Sequence, residues 1–228
     1  MSIMFAVNQE LLDKARIVLW ERDEIYWIIG GSCSGKSTIS RALSKKCGIP
    51  VYDMDEYVFD RYMQRYNDDR HPASKAWFSA ENPLAWSLSL SLQDFEAMYK
   101  AANAEYLDLL AEDLDSEEFR GPQIIDGGIT HPSVLVQAVK PENVICIDAD
   151  EESRARTWET SEDRAAMKEW ILALPEPEDM WAKFLSFDRL VTETILEESR
   201  KENIKHLFRG NKTTVAGLAD RIAEHFGL

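Results

Sequence analysis

The chain has 228 residues, of which 45% are hydrophobic and 29% charged. At roughly 100–200 residues per domain this predicts one domain, or one domain with an insertion, and the composition excludes intrinsic disorder. Forty-one acids against 26 bases leave a net charge of −15, which repels nucleic-acid backbones and anionic lipid at long range and leaves room only for a local basic pocket.

Residues 8–22 carry Leu11, Leu12, Ala15, Val18 and Leu19 at helical spacing, which predicts a helix ahead of the first strand. The apolar run Ile25–Ile29 ending at Gly30 reads as a buried strand. A helix follows over 37–47, stopped by Gly48 and Pro50, and then a short strand at Val51–Asp53. Residues 56–121 are rich in aromatic side chains, and Phe95, Met98, Ala102, Tyr106, Leu109 and Leu110 recur at three- and four-residue steps. That spacing predicts a long helix within a mostly helical insertion at 59–121. Alternation then resumes. Strands are predicted at Gln123–Asp126, Asn143–Asp148 and Ile204–Phe208, with a short helix at Ser133–Val139. Two charged helices are predicted over 151–173, a longer helix over 181–201 and an amphipathic helix from Val215 to Phe226. Strands alternating with helices imply an α/β fold: a five-stranded parallel sheet covered on both faces in three layers.

Residues 30–38 read GGSCSGKST and match G-x-x-x-x-G-K-[ST] at Gly30, Gly35, Lys36 and Ser37. An apolar strand precedes the match and a helix follows it, as a phosphate-binding P-loop requires. Glycines let the backbone turn tightly enough to aim N–H groups at phosphate oxygens. The opening helix adds the positive end of its dipole. Gly30, Gly31, Ser32, Cys33, Ser34, Gly35, Lys36, Ser37 and Thr38 are therefore the predicted nucleotide-binding residues. Lys36 supplies a point charge for the β- and γ-phosphates, and the Ser37 hydroxyl is a candidate Mg²⁺ ligand. A guanine-reading N-K-x-D element is not present; Asn211-Lys212-Thr213-Thr214 lacks its aspartate.

The second strand ends in Val51-Tyr52-Asp53-Met54-Asp55. Here the chain resembles the shikimate/gluconate kinase-like and nucleoside kinase-like P-loop kinases, which place a D-x-D element after their second strand. The resemblance extends to Ile124-Ile125-Asp126-Gly127-Gly128, and to Val144–Asp150 running into Arg154 and Arg156 like an arginine-bearing lid. It covers about 25–58 and 123–226 and omits 59–121. It implies a P-loop NTPase fold, a core at 1–58 and 122–228, a lid over about 151–175, and an acceptor bound by the insertion. It also implies Asp53 near Mg²⁺ and Asp55 near an acceptor hydroxyl. The pair reads alternatively as a solvated turn with a helix cap.

Asp126 ends the third strand, where a carboxylate can hold Mg²⁺. Asp148, on the fourth, reads as structural. Arg154, Arg156, Arg164 and Lys168 fall in the lid, where a closing arginine stabilises phosphoryl charge; the rival reading is an exposed helix paired to Glu151, Glu152, Glu159, Glu162 and Asp163. His71, His131, His206 and His225 lack metal-ligand spacing, and His131 is placed to touch an acceptor or to cap a loop. Cys33, Cys47 and Cys146 are too few and scattered for a disulfide framework or zinc cluster. The N-terminal segment lacks the pattern of a signal peptide and no run of 18 apolar residues occurs, so a cytoplasmic protein is expected. The expected activity is transfer of the γ-phosphoryl group of ATP·Mg²⁺ to a hydroxyl or phosphate of a small molecule, with Lys36, Asp55, Arg154 and Arg156 as catalytic residues and Ser37, Asp53 and Asp126 at the metal. Two alternatives stand beside it: a 5′-polynucleotide kinase, disfavoured by charge, and a nucleotide-binding regulatory module without turnover.

Overall fold

The first helix, α1 (Gln9–Leu19), is capped by Asn8, whose side chain accepts from the Glu10 N–H. It buries Leu11, Leu12, Ala15 and Leu19 on one face. This is a computed structural model and it describes residues 5–228, apart from the side chains of Ala155, Glu159 and Asp163. Residues 1–4, which open the segment read for a signal peptide, and two of the acids read in the lid thus lie outside the described residues. Strand β1 (Ile25–Gly30) leads through the glycine loop into α2 (Lys36–Cys47). Strand β2 (Val51–Asp53) passes into a single turn, α3 (Met54–Glu56), and a π-helical turn at Tyr57–Arg61. Helices α4 (Pro72–Phe78), α5 (Pro83–Ser89) and α6 (Leu92–Leu114) follow. Then come β3 (Gln123–Asp126), α7 (Pro132–Leu135) and β4 (Val144–Ala149). The chain ends with α8 (Glu151–Thr160), α9 (Glu162–Leu172), α10 (Pro177–Lys201), β5 (Lys205–Arg209) and α11 (Val215–Phe226).

The five strands run parallel in the order β2-β3-β1-β4-β5. Alternate residues of a strand face opposite sides of the sheet. Ile28, Ile124, Ile145 and Leu207 therefore pack on one side with Ile39 and Leu43 of α2 and Leu218 and Ile222 of α11. Trp27, Ile29 and Cys146 face the other side, against Leu12 of α1, Leu107 of α6 and Ile195 of α10. The result is the expected three-layer α/β sandwich. No helix among the described residues is long and apolar enough to cross a membrane.

Two elements differ from their sequence patterns. Helix α10 begins at Pro177, four residues before its apolar stripe, because proline is accommodated in a first turn where its missing N–H has no partner to lose. Helix α6 buries every residue from Ala101 to Ala111, not one face only. Its polar side chains are taken up by neighbouring backbone. Glu105 accepts from Ala73 N, Ser74 N and the Ser74 hydroxyl at 2.9, 2.8 and 2.5 Å, capping α4. Asn103 Oδ1 accepts from Thr130 N and His131 N at 2.9 and 2.8 Å, tying α6 to the loop after β3. Asp108 meets His71 at 3.0 Å and Arg70 at 2.6 Å.

Candidate active site

The loop between β1 and α2 brings the predicted nucleotide-binding residues to the carboxyl edge of the sheet. Gly35 is the N-cap of α2, and no side chain caps the helix. The first-turn N–H groups, those of Lys36, Ser37 and Thr38, are thus left to an anion. Gly31 lies against α10: a Cβ there would sit 2.6 Å from Thr192. Cys33 takes a left-handed conformation (φ 61°), uncommon for a residue with a side chain. Its carbonyl accepts from the Arg209 guanidinium at 2.9 Å, which pins the strained turn from the end of β5. Burial pushes the Cys33 thiol up, and the nearby Arg164, Lys36 and Arg209 charges oppose that shift. Three cations thus surround the loop in a protein of net charge −15.

The acids converge from two neighbouring strands. Asp126 pairs in register with Ile28 of β1 and Asp53 of β2. It is 3% exposed, and its Oδ1 has no hydrogen-bond partner. Burial raises its carboxyl above the ordinary range, a hydrogen bond from Ser37 and the Lys36 charge oppose this, and Asp53 and Asp55 reinforce it. An orphaned carboxylate oxygen beside Ser37 suits Mg²⁺, which binds through one or two carboxylates together with substrate phosphates. No cluster of three or more His, Cys, Asp or Glu side chains among the described residues would hold a metal alone. Asp53 accepts from Asp55 N and Glu56 N at 3.1 and 3.3 Å. It is the cap that starts the turn at Met54, so Asp55 stands on a helical turn and not on an extended strand end.

Lys36 and Asp55 meet at Gly127. That residue has φ 73°, and a Cβ on it would lie 3.0 Å from Lys36 Cε and 3.5 Å from Asp55 Oδ1. Only glycine allows the loop after β3 to pass so close. Lys36, Asp55 and Gly30 open into one cavity of about 610 Å³, a size that suits a small ligand. Its far wall is made by Phe59, Trp77, Leu88 and Phe95, and another side by Met167 and Trp170 of α9 with Phe184 and Phe187 of α10.

No protein-family model and no curated protein matches the chain. Solved structures do. The Thermus thermophilus protein TT1252 matches at 17% identity with a TM-score of 0.50, covering 89% of this chain and 96% of its own. Shikimate kinase from Acinetobacter baumannii, in complex with shikimate, matches at 14% identity and a TM-score of 0.47, covering 88% of this chain and 90% of its own. A sugar kinase from Janibacter sp. HTCC2649 matches at 12% identity and a TM-score of 0.44, covering 89% and 94%. The fold is a P-loop NTPase sandwich. The matched structures include a shikimate kinase and a sugar kinase.

Within that fold the cations of α8 and α9 separate. Arg156 pairs with Glu152 at 2.8 Å on an exposed helix face, and neither it nor Arg154 lines the cavity. Arg164, on α9, does line it, together with Asp188 of α10. Its guanidinium lies 4.9 Å from the Trp158 ring, and Trp158 packs edge-on against Trp181 and Phe184. The sequence pattern placed Arg164 in the lid but did not single it out. Arg209 was not marked by any motif; it ends β5, a strand whose register only the sheet reveals. His131 is 2% exposed and does not line the cavity, and burial lowers its imidazole to about 4. Asp148 meets Arg200 at 3.4 Å, as a structural residue would. Among the aromatic side chains of the helical segment, Tyr62 and Tyr66 are core, whereas Phe59 and Trp77 reach the cavity.

Proposed function

We propose that the protein is an ATP-dependent phosphotransferase moving the γ-phosphoryl group of ATP·Mg²⁺ to a hydroxyl of a small molecule. The observation that carries this reading is the meeting of Lys36 and Asp55 across Gly127 inside one cavity. A P-loop that only gripped a nucleotide would not need a carboxylate facing its lysine beside a pocket of ligand size. The loop amides and Lys36 hold the β- and γ-phosphates. Ser37 and Asp126 would hold Mg²⁺, with Asp53 beside them, and the ion would supply neutralisation of the phosphate charge. Asp55 orients the acceptor hydroxyl and takes its proton as the oxygen bonds to Pγ. The bond from Pγ to the bridging oxygen breaks, and ADP leaves. Arg164 is the lid cation placed to meet the transferring charge, with Arg154 and Arg156 on the outer helix. The segment 59–121 selects the acceptor, and 151–175 closes over it and excludes water. The three cysteines are free, which suits the reducing cytoplasm.

The test is release of ADP from ATP·Mg²⁺ by the full chain across a panel of alcohols and polyols. Lys36→Ala should lower acceptor-dependent release about 10²–10³-fold, the scale of losing one preorganised charge in a closed site. Thermal unfolding should remain cooperative. Unchanged release in that variant would remove the loop from the chemistry.

A further inference from the structure

The part of the cavity beyond Asp55 carries little polarity that a ligand could use. The charged residues Arg164 and Asp188 also line the cavity, near the glycine loop, where both charges act on Cys33; away from that end its polar side chains are Asn82, Ser87 and Thr130. The Ser87 hydroxyl already accepts from Trp77 Nε1 at 2.7 Å and donates to the Pro83 carbonyl at 3.0 Å. The Thr130 hydroxyl is engaged with Asn103 Oδ1 at 3.3 Å and His131 Nδ1 at 3.0 Å. Asn82 Oδ1 caps α5 through Ala85 N at 3.0 Å. The remaining surface there is aliphatic and aromatic. Only next to Asp55 does the wall offer further hydroxyls, those of Tyr99 and Tyr106. Burial holds the Tyr99 phenol up at about 12 and raises Tyr106 as well, with the Asp55 charge adding to both, so the two remain protonated.

These observations set what can enter. A polyol carries about one hydroxyl per carbon, and each hydroxyl stripped of water without a new partner is costly. A wall whose Ser87 and Thr130 hydroxyls are already paired, and whose Asn82 oxygen caps α5, cannot repay that for every carbon of a polyol. A ligand with one polar end and an apolar body can: the hydroxyl meets Asp55, Tyr99 and Tyr106, and the body displaces water from Trp77, Leu88 and Phe95. Resting on the phosphotransferase reading above, we infer that the acceptor is a predominantly apolar alcohol, with a single hydroxyl at the phosphate end of the cavity and its body in the aromatic end.

The experiment measures binding of primary alcohols from butanol to decanol, and of glucose, gluconate and shikimate, to the full chain with Mg²⁺ and a non-hydrolysable ATP analogue. The readout is tryptophan fluorescence, since Trp77 and Trp170 line the cavity. Affinity should rise about fourfold for each methylene added until the cavity is full, and the polyols should fail to displace decanol. A flat series, or a polyol that binds more tightly than every alcohol, overturns the inference. Leu84→Asn, which keeps the heavy-atom branching of the side chain, puts an amide in the apolar wall and should weaken decanol about tenfold or more. Should that variant fail to fold, Phe59→Ser, at a position 45% exposed, removes part of the same wall and should also flatten the chain-length slope. Retention of the full slope in a folded variant overturns the inference. ADP release separates the two readings. A steep series without ADP release upholds the ligand class and refutes phosphoryl transfer. Release with a polyol alone upholds transfer and refutes the ligand class.

Discussion

The two ends of the cavity are built in opposite ways. The phosphate end is backbone: nine consecutive residues with small or polar side chains, pinned at Cys33 by Arg209 and packed at Gly31 against Thr192. The far end is side chain, gathered from the π-helical turn and from α4, α5, α6, α9 and α10. Phosphate recognition can be local because every residue brings an N–H, and a helix start leaves several of them unspent. Selection of a small organic group cannot be local, because shape and polarity must be assembled from segments far apart in the chain. On the proposed reading, one stretch of sequence would fix the donor, while the acceptor would depend on how the rest of the chain packs.

Asp55 lies where the two ends meet, and it gives the sharpest test of the division. Asp55→Asn keeps the shape and removes the charge that accepts the proton. Turnover should fall about 10²–10⁴-fold, the range for losing a positioned general base. ATP binding should change little, measured by titration calorimetry. A loss confined to ATP affinity would place Asp55 on the donor side.

A smaller effect is expected from the scaffold of the acceptor end. Glu105→Ala removes the acceptor for Ala73 N, Ser74 N and the Ser74 hydroxyl at a buried helix start. Each buried donor left unpaired costs about 1–3 kcal/mol, so stability should drop by about 3 kcal/mol in urea unfolding. Nucleotide affinity of the folded fraction should hold. If it falls in parallel, the two ends are not separable.

The smallest expected effect is on pH dependence. His131 titrates at about 4 in the folded chain, against about 6.5 when unfolded. Between those values the unfolded state binds the extra proton, so stability rises with pH there and is lost on acidification. The loss from this residue should reach about 2 kcal/mol at pH 5 relative to pH 7. His131→Asn should flatten that part of the stability profile; an unaltered slope would assign it to other groups.

Much of the donor end was readable in the chain alone. The strand, the loop and α2 follow one another in sequence, and Asp126 sits at the end of an apolar strand that registers beside β1. The sheet and its three layers follow from the same alternation. The acceptor end was harder. Helical spacing showed that α6 has a buried face, but not that Asn103, Glu105 and Asp108 are buried too, because their partners lie on α4 and on the loop after β3. The family resemblance put four cations in an expected lid. It could not say that α9 turns Arg164 inward while Arg156 pairs along α8, since that depends on how the helices pack on Trp181 and Phe184. Arg209 is the same kind of case. Its contact with Cys33 exists only because β5 lies beside β4 and β4 beside β1.

The most direct test of the central claim is the fate of the γ-phosphoryl group itself. Phosphorus NMR of the full chain turning over ATP·Mg²⁺ with a bound alcohol should show a new phosphate monoester appearing in step with ADP, and neither in Lys36→Ala. Inorganic phosphate in place of the ester, or ATP that stays intact however tightly it binds, would contradict the account.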